Sequence, residues 1–423
     1  MANSTGTSST GTNSTGASST GPLSGLRVFD LSRIMAGPSC TQMLGDMGAD
    51  VIKVERPGQG DDTRKWGPPF LKDKAGEDTD ESAYYLSANR NKRSISLDIS
   101  KPEGQKLAKK MIAKSDILVE NFKVGGLAKY GLSYEDLKEE FPNLIYCSIT
   151  GFGQTGPYAP QAGYDFLIQG MGGIMSLTGE PDGQPMKVGV AIVDLMCGMY
   201  ASNAILAALH HRNNTGQGQF IDVSLLDTQI AWLANQGLYY LTSGELPPRL
   251  GNGHPNIVPY NVFPSSDGHF ILAIGNDGQY RKFCDFAKCI ELFEDQRFNT
   301  NQNRIRNRDE LTPLIGEVTK TQSSSYWIEH LPPLGVPCGP VNDMKGVFAH
   351  PQTVARDMKI SMPHAEACGG SVDLIGSPMK FSETPVDYRK APPRMGEHTE
   401  EVLEELLDPT DYDLSDLKNR GIA

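Results

Sequence analysis

Asp194 stands at the front of the run VGVAIVDLMCGMYASNAILAALHH, the one acidic residue in a helix-like stretch of apolar and small side chains. A carboxylate in such a place can attack an activated acyl carbon and form an anhydride, which is one form of covalent catalysis. The positive end of a helix dipole would favour its ionised, nucleophilic form. The plainer reading is an N-cap, the commonest role of Asp at a helix start. Gly198 and Ala201, further along the same run, would let a neighbouring chain or ligand approach closely.

Other chemistry is absent from the motifs. GQGDD (58–62) lacks the Gly-Lys-Ser/Thr of a phosphate loop, and no GxGxxG opens a helix after a strand. HExxH, GxSxG and clustered metal ligands are also missing. The expectation is chemistry without a metal and without a permanently bound cofactor. Gly251-Asn252-Gly253 is a Gly-rich loop whose backbone N–H groups could stabilise an oxyanion.

These residues need a scaffold, and the chain from Leu23 alternates strand-like and helix-like segments. LRVFDL (26–31), ADVIKVE (49–55), SISLDI (94–99), DILVEN (116–121) and NLIYCSITG (143–151) read as strands. Between them, AGPSCTQMLGDMG and KPEGQKLAKKMIAKS read as helices. This rhythm predicts an α/β fold with a doubly wound, mostly parallel sheet. Ligands in such sheets bind beyond the C-terminal ends of the strands. That singles out Ser32–Gly37, Arg56–Gly60, Asn121-Phe122 and Thr150–Gly153. Taken alone, Arg56 could be a surface residue and Asn121 an ordinary turn residue. Tyr164-Asp165 reads as a helix start, with Asp165 a candidate cap.

The texture changes near residue 244, where Gly, Pro and Asn accumulate. The expected division is a large α/β domain over 22–244, a smaller α+β domain over 245–345, and a segment over 346–423 that returns to the large domain. Four uncharged pentapeptides (NSTGT, SSTGT, NSTGA, SSTGP) run from Asn3 to Pro22, and residues 1–21 are expected to be disordered. They carry neither the Arg-rich pattern of a mitochondrial presequence nor the apolar core of a secretory signal.

The 423 residues carry a net charge of −12, with 38% hydrophobic and 21% charged residues. Nothing there favours nucleic acid or an anionic membrane. The seven cysteines show no CxxC or Cys/His spacing and read as reduced thiols of an intracellular, soluble protein, cytoplasmic or mitochondrial. No apolar run is expected to approach the length of a membrane span.

Several ordered blocks resemble the class III CoA-transferases, a family that also includes alpha-methylacyl-CoA racemases. They are PLSGLRVFDLSRIMAGPSCTQMLGDMGADVIKVERPGQGDDTR, NRNKRSISLDI, DILVENF, YCSITGFGQTGPY, AGYDFLIQGMGG and the run through Asp194 to VSLLD, followed by GVPCGPVNDM, GSPMKFSETP and GEHTEEVL. The resemblance covers residues 22–410. It implies that Asp194, in the pattern Ala191-x-x-Asp194-x-x-x-Gly198, is the nucleophile. It implies CoA contacts at Ile34, Met35, Ala36, Arg56, Leu97, Asn121, Phe122 and Lys129, with Tyr164 walling the active site. It implies a coenzyme A thioester as co-substrate, a small carboxylate as acceptor, and two chains interlocked as a homodimer.

Within the family, Met35 and Ala162 depart from the oxalate-specific pattern of Gln and Lys. DDTRKWGPPF, YYLSANRNKRS, IVPYNVF and GVPCGPVNDMKGVF instead resemble members acting on succinyl-CoA and a dicarboxylate such as glutarate. A dicarboxylate leaves one carboxylate remote from the reaction, and an Arg is its natural bidentate partner. Arg64 and Arg90 lie in these runs and are the expected clamps. Two rivals are a racemase and a non-catalytic acyl-CoA-binding protein. Family racemases carry His where Tyr164 stands, and Tyr, with a pKa near 10, suits proton exchange poorly.

Overall fold

The computed structural model describes residues 21–423. The tail read over 1–21 lies outside them apart from its last residue. Six strands form one sheet: β1 Arg27–Asp30, β2 Asp50–Glu55, β3 Lys92–Ser96, β4 Ile117–Glu120, β5 Ile145–Thr150 and β6 Gln219–Ser224. Their order is β3-β2-β1-β4-β5-β6. The pairings from β3 through β5 are parallel. Every residue of β4 and β5 is buried, as continuous apolar strands are when both faces of a parallel sheet are covered. β3 starts two residues before the expected SISLDI, because Lys92 and Arg93 are paired and buried within it. β6 escapes the sequence pattern: QFIDVS carries an Asp and is only half-buried.

Successive strands run one way from β1 to β3 and the other way from β4 to β6. The direction reverses between β1 and β4, where open parallel sheets form a ligand crevice beyond the strand ends. Helix α1 (Ala36–Asp46) follows β1, and α2 (Pro102–Ile112) follows β3. Gly37 is required at the turn into α1, since a Cβ there would sit 2.2 Å from the Ser32 Cβ. Leu107 and Met111 of α2 share one buried cluster with Phe29, Ile52 and Leu118 of the sheet and with Val402 and Leu403 of the helix Thr399–Leu406.

The chain forms two compact units. The first comprises the described residues up to Ile149 with Gly198–Asp222 and Ile360–Ala423. The second comprises Thr150–Cys197 and Val223–Lys359. This grouping differs from the boundaries read at 22–244, 245–345 and 346–423, since 150–197, 223–244 and 346–359 cluster with the second unit. Composition marked the linker texture near 244, but contacts place the division at the end of β5. The second unit has its own antiparallel sheet of Tyr260–Pro264, His269–Ala273 and Cys338–Pro340. Phe263, Phe270, Phe283 and Trp327 build its core.

Two further helices matter for the site, α3 (Asp165–Met171) and α4 (Ile192–Thr215). With 24 residues and a mean hydropathy of 1.6 in its most apolar window, α4 is long and apolar enough to span a membrane by length and composition. The sequence reading of no such run is corrected to that extent. At Gly198 the lack of a side chain answers to close packing. A Cβ on Gly198 would lie 2.2 Å from Ser39 Oγ and 2.7 Å from the Ala36 carbonyl of α1. The close approach that Gly198 permits is therefore to a helix of the same chain. All seven cysteines are free.

Candidate active site

In the first unit, a cleft of about 240 Å³ opens at the C-terminal ends of the strands. Leu31, Arg33, Arg56, Leu97, Phe122 and Tyr130 are among its walls. Three of the expected CoA-contact residues, Arg56, Leu97 and Phe122, thus meet in one place. Arg56 is exposed, with a long 3.4 Å hydrogen bond to Gln59 and its charge acting on Asp98. Leu97 is buried beneath. Lys129 is exposed in the short turn Ala128–Tyr130, its Nζ 4.7 Å from the Tyr130 ring centre.

Asn121 does a different job from the one expected of a free contact. Its side-chain oxygen accepts from the Arg33 N–H at 3.1 Å and its amide donates to the Arg33 carbonyl at 2.7 Å. It bridges the strand reversal and holds the loop after β1. That loop is gripped elsewhere too. The Ser32 N–H donates to Asp30, the Ser32 carbonyl accepts from Lys53, and the Ile34 N–H donates to Asp61. Ile34 has φ 74°. The Met35 and Ala36 side chains are buried at the start of α1.

In the second unit, Asp194 lies in the first turn of α4 and is buried. It is the third helical residue, so the N-cap reading is corrected. Asp165 takes the capping role. Its carboxylate accepts from the Val193 N–H at 2.8 Å and the Asp194 N–H at 3.4 Å, and from Gln169 Nε2 at 2.6 Å. The helix-end donors expected to favour an ionised Asp194 therefore serve Asp165. Burial, and then the Asp165 charge, push the Asp194 carboxyl up to about 7. Three residues on, burial lifts the Cys197 thiol to about 12, and the Asp194 and Asp227 charges add to it. Cys197 stays a thiol at neutral pH and is a poor nucleophile. Tyr164, the residue before α3, is exposed.

Three of the expected groups have partners within the chain. Arg64 is buried, and its guanidinium is occupied bidentately by Glu55 at 2.7 and 2.8 Å, with Tyr85 Oη and the Pro393 carbonyl as further partners. Arg90 is buried too, gripping Asp46 at 2.5 and 2.9 Å and the Ile375 carbonyl at 2.8 Å. Each has found its bidentate carboxylate inside the fold. In the Gly251–Gly253 loop, the Gly251 N–H donates to the Gly179 carbonyl and the Gly253 N–H to Leu250. Two of the three proposed oxyanion donors are thus spent; Asn252, exposed at the tip, keeps its place in the loop.

Sequence reasoning missed Asp61, Lys53 and Asp30, which hold the loop after β1. Their signal was present: a Lys inside ADVIKVE and an Asp inside LRVFDL interrupt otherwise apolar strands, and buried charges need partners. Among the described residues no group of three or more His, Cys, Asp or Glu side chains could hold a metal ion.

The model of CoA-transferase family III matches residues 23–399. A succinate–glutarate CoA-transferase of Agrobacterium fabrum is 50% identical over 385 residues, covering 91% of this chain and 96% of that protein. A succinyl-CoA:glutarate CoA-transferase of Homo sapiens is 41% identical over 402 residues, covering 95% and 90%. A crystal structure of a CAIB/BAIF family protein from Brucella suis aligns with a TM-score of 0.81 at 50% identity, covering 91% of this chain and 99% of that one.

Proposed function

Since the chain belongs to CoA-transferase family III and is a CoA-transferring enzyme, we propose that it moves CoA from succinyl-CoA to glutarate or a similar dicarboxylate, with Asp194 as nucleophile. The observation that carries the reading is Asp194 itself, a buried carboxylate in the first turn of α4, where the resemblance implies the nucleophile. Two relatives that cover nine-tenths of the chain bear glutarate-transferase names.

The proposed cycle begins when an Asp194 oxygen attacks the thioester carbon. The C–S bond breaks, CoA leaves as the thiolate, and an aspartyl–succinyl anhydride remains. The thiolate attacks the aspartyl carbonyl, releases succinate and forms an aspartyl-CoA thioester. The acceptor carboxylate displaces CoA to give a second anhydride. The thiolate then attacks the acceptor carbonyl and frees Asp194. Charges balance at each step without a redox partner. Arg56, Leu97, Phe122 and Lys129 are the proposed CoA contacts, and Tyr164 a wall residue. The Asn252 N–H is the donor left for the oxyanion in its loop.

An acceptor panel with succinyl-CoA, read by mass spectrometry, tests the assignment. Glutarate and other C4–C6 dicarboxylates should turn over faster than oxalate. Faster turnover with oxalate would overturn the substrate reading. We assign a homodimer, interlocked as the family resemblance implies, because Leu238, Leu241 and Leu246 of the second unit are 59–81% exposed, an apolar surface that a second copy would cover. Light scattering should return twice the chain mass.

The Asp194 environment also predicts pH dependence. Only the ionised form attacks. With the carboxyl lifted to about 7, kcat/KM should fall along an acid limb below that pH. Asp165→Asn keeps an oxygen acceptor for the Val193 N–H but removes the negative charge. The limb should then move to lower pH, while the part due to burial persists. A limb unmoved in this variant would remove the Asp165 charge as a cause.

A further inference from the structure

Ile34 is a β-branched residue held at φ 74°. Bulky L-residues rarely adopt this region, and such a conformation costs of order 1–3 kcal/mol unless its surroundings impose it. The surroundings here are identifiable. Both Asp61 carboxylate oxygens lie 3.2 Å from the Ile34 N–H. Asp61 is itself fixed by Lys53 Nζ at 2.8 Å, by the Thr63 N–H at 3.0 Å and by the Thr63 hydroxyl at 2.8 Å. Lys53 and Asp61 are fully buried. Lys53 also donates to the Ser32 carbonyl at 3.0 Å, two residues before Ile34. The ion pair therefore ties β2 to the backbone of the loop that precedes α1, at the edge of the 240 Å³ cleft that Asp61 and Lys53 both line.

We propose that Asp61, carried on its ion pair with Lys53, is a positioning residue that holds Ile34 in left-handed backbone and so pre-shapes the Arg33–Ala36 loop to receive the CoA thioester. This rests on the acyl-CoA reading above. Neither side chain enters the reaction. Their effect is to hold a strained loop in its binding shape before ligand arrives, which lowers the ordering cost of binding.

Ile34 variants separate this role from a merely structural one. Ile34→Gly adopts the positive φ without strain. Ile34→Pro cannot adopt it, and it lacks the N–H that Asp61 holds. Both substitutions leave the Lys53–Asp61 pair itself in place. Both variants lose a side chain expected to contact CoA, so the reading is the difference between them. CoA binding, titrated by calorimetry, should be about tenfold or more weaker for Ile34→Pro than for Ile34→Gly, as a strain cost of this size gives. Asp61→Asn should behave like Ile34→Pro, raising KM for succinyl-CoA with little change in kcat. The double variant Asp61→Asn/Ile34→Gly should recover most of the loss, because Gly needs no partner to hold that conformation. Strictly additive effects, or wild-type CoA binding by Ile34→Pro, would overturn the proposal. If Asp61→Asn fails to fold, the two Ile34 variants decide alone. Normal CoA binding without any transfer in the wild-type protein would instead count against the proposed function and leave the loop assignment standing.

Discussion

Asp194→Asn should lower turnover at least about 10³-fold, because an amide oxygen cannot form the anhydride on which each later step depends. Folding should survive. The wild-type carboxyl, buried and facing the Asp165 charge, has a pKa raised from 3.8 to about 7. Between those values the folded state keeps a proton that the unfolded chain has lost. Stability contributed by the protonated form is therefore lost as pH rises through that window. A neutral amide does not suffer that loss. At pH 8 the variant should melt at the wild-type temperature or above it. Steady-state kinetics and a melting curve at two pH values check both halves. A variant that retains more than a few per cent of turnover would remove Asp194 as nucleophile. A trapping experiment gives a positive sign: hydroxylamine with succinyl-CoA should convert Asp194 of the wild-type enzyme to a hydroxamate and leave the Asn variant unmodified.

The parallel sheet was legible because its strands are buried and written almost entirely in apolar residues. VFD, ILVE and IYCSIT announce themselves in that way. β6 and the unit boundaries were not. QFIDVS is only half-buried and gives no clean period, and a contact-based division is set by residues far apart in sequence. The site shows the same contrast. Asp194 was visible because one charge in an apolar helix stands out. Its raised pKa was not, because burial comes from the assembled fold and the added charge comes from Asp165, 29 residues earlier, which takes the helix-end donors. Arg64 and Arg90 looked like free clamps because nothing local names Glu55 and Asp46 as their partners. Those pairs span 9 and 44 residues and exist only once the strands assemble.

That distinction changes what Arg64→Met should do. A substrate clamp would lose dicarboxylate turnover alone. In the fold, Arg64 neutralises Glu55, and its Nη1 lies 3.7 Å from Glu81, a second buried carboxylate. Replacing it leaves the buried Glu55 carboxylate without its guanidinium, and breaking such a pair from one side costs roughly 3–5 kcal/mol. At roughly 2–4 °C per kcal/mol for units of this size, Tm should fall by about 10 °C. Activity should decline alike on dicarboxylate and monocarboxylate acceptors, following the folded fraction. The companion variant Arg64→Met/Glu55→Gln tests the cause. It removes the stranded Glu55 charge while keeping side-chain volume. The second substitution should therefore regain part of the lost Tm even though it deletes another native contact. A wild-type Tm with selective loss of glutarate turnover would return Arg64 to the substrate. Further loss in the double variant would mean that Arg64 contributes through packing against Tyr85, whose ring centre lies 3.8 Å from the guanidinium, and not through the Glu55 charge.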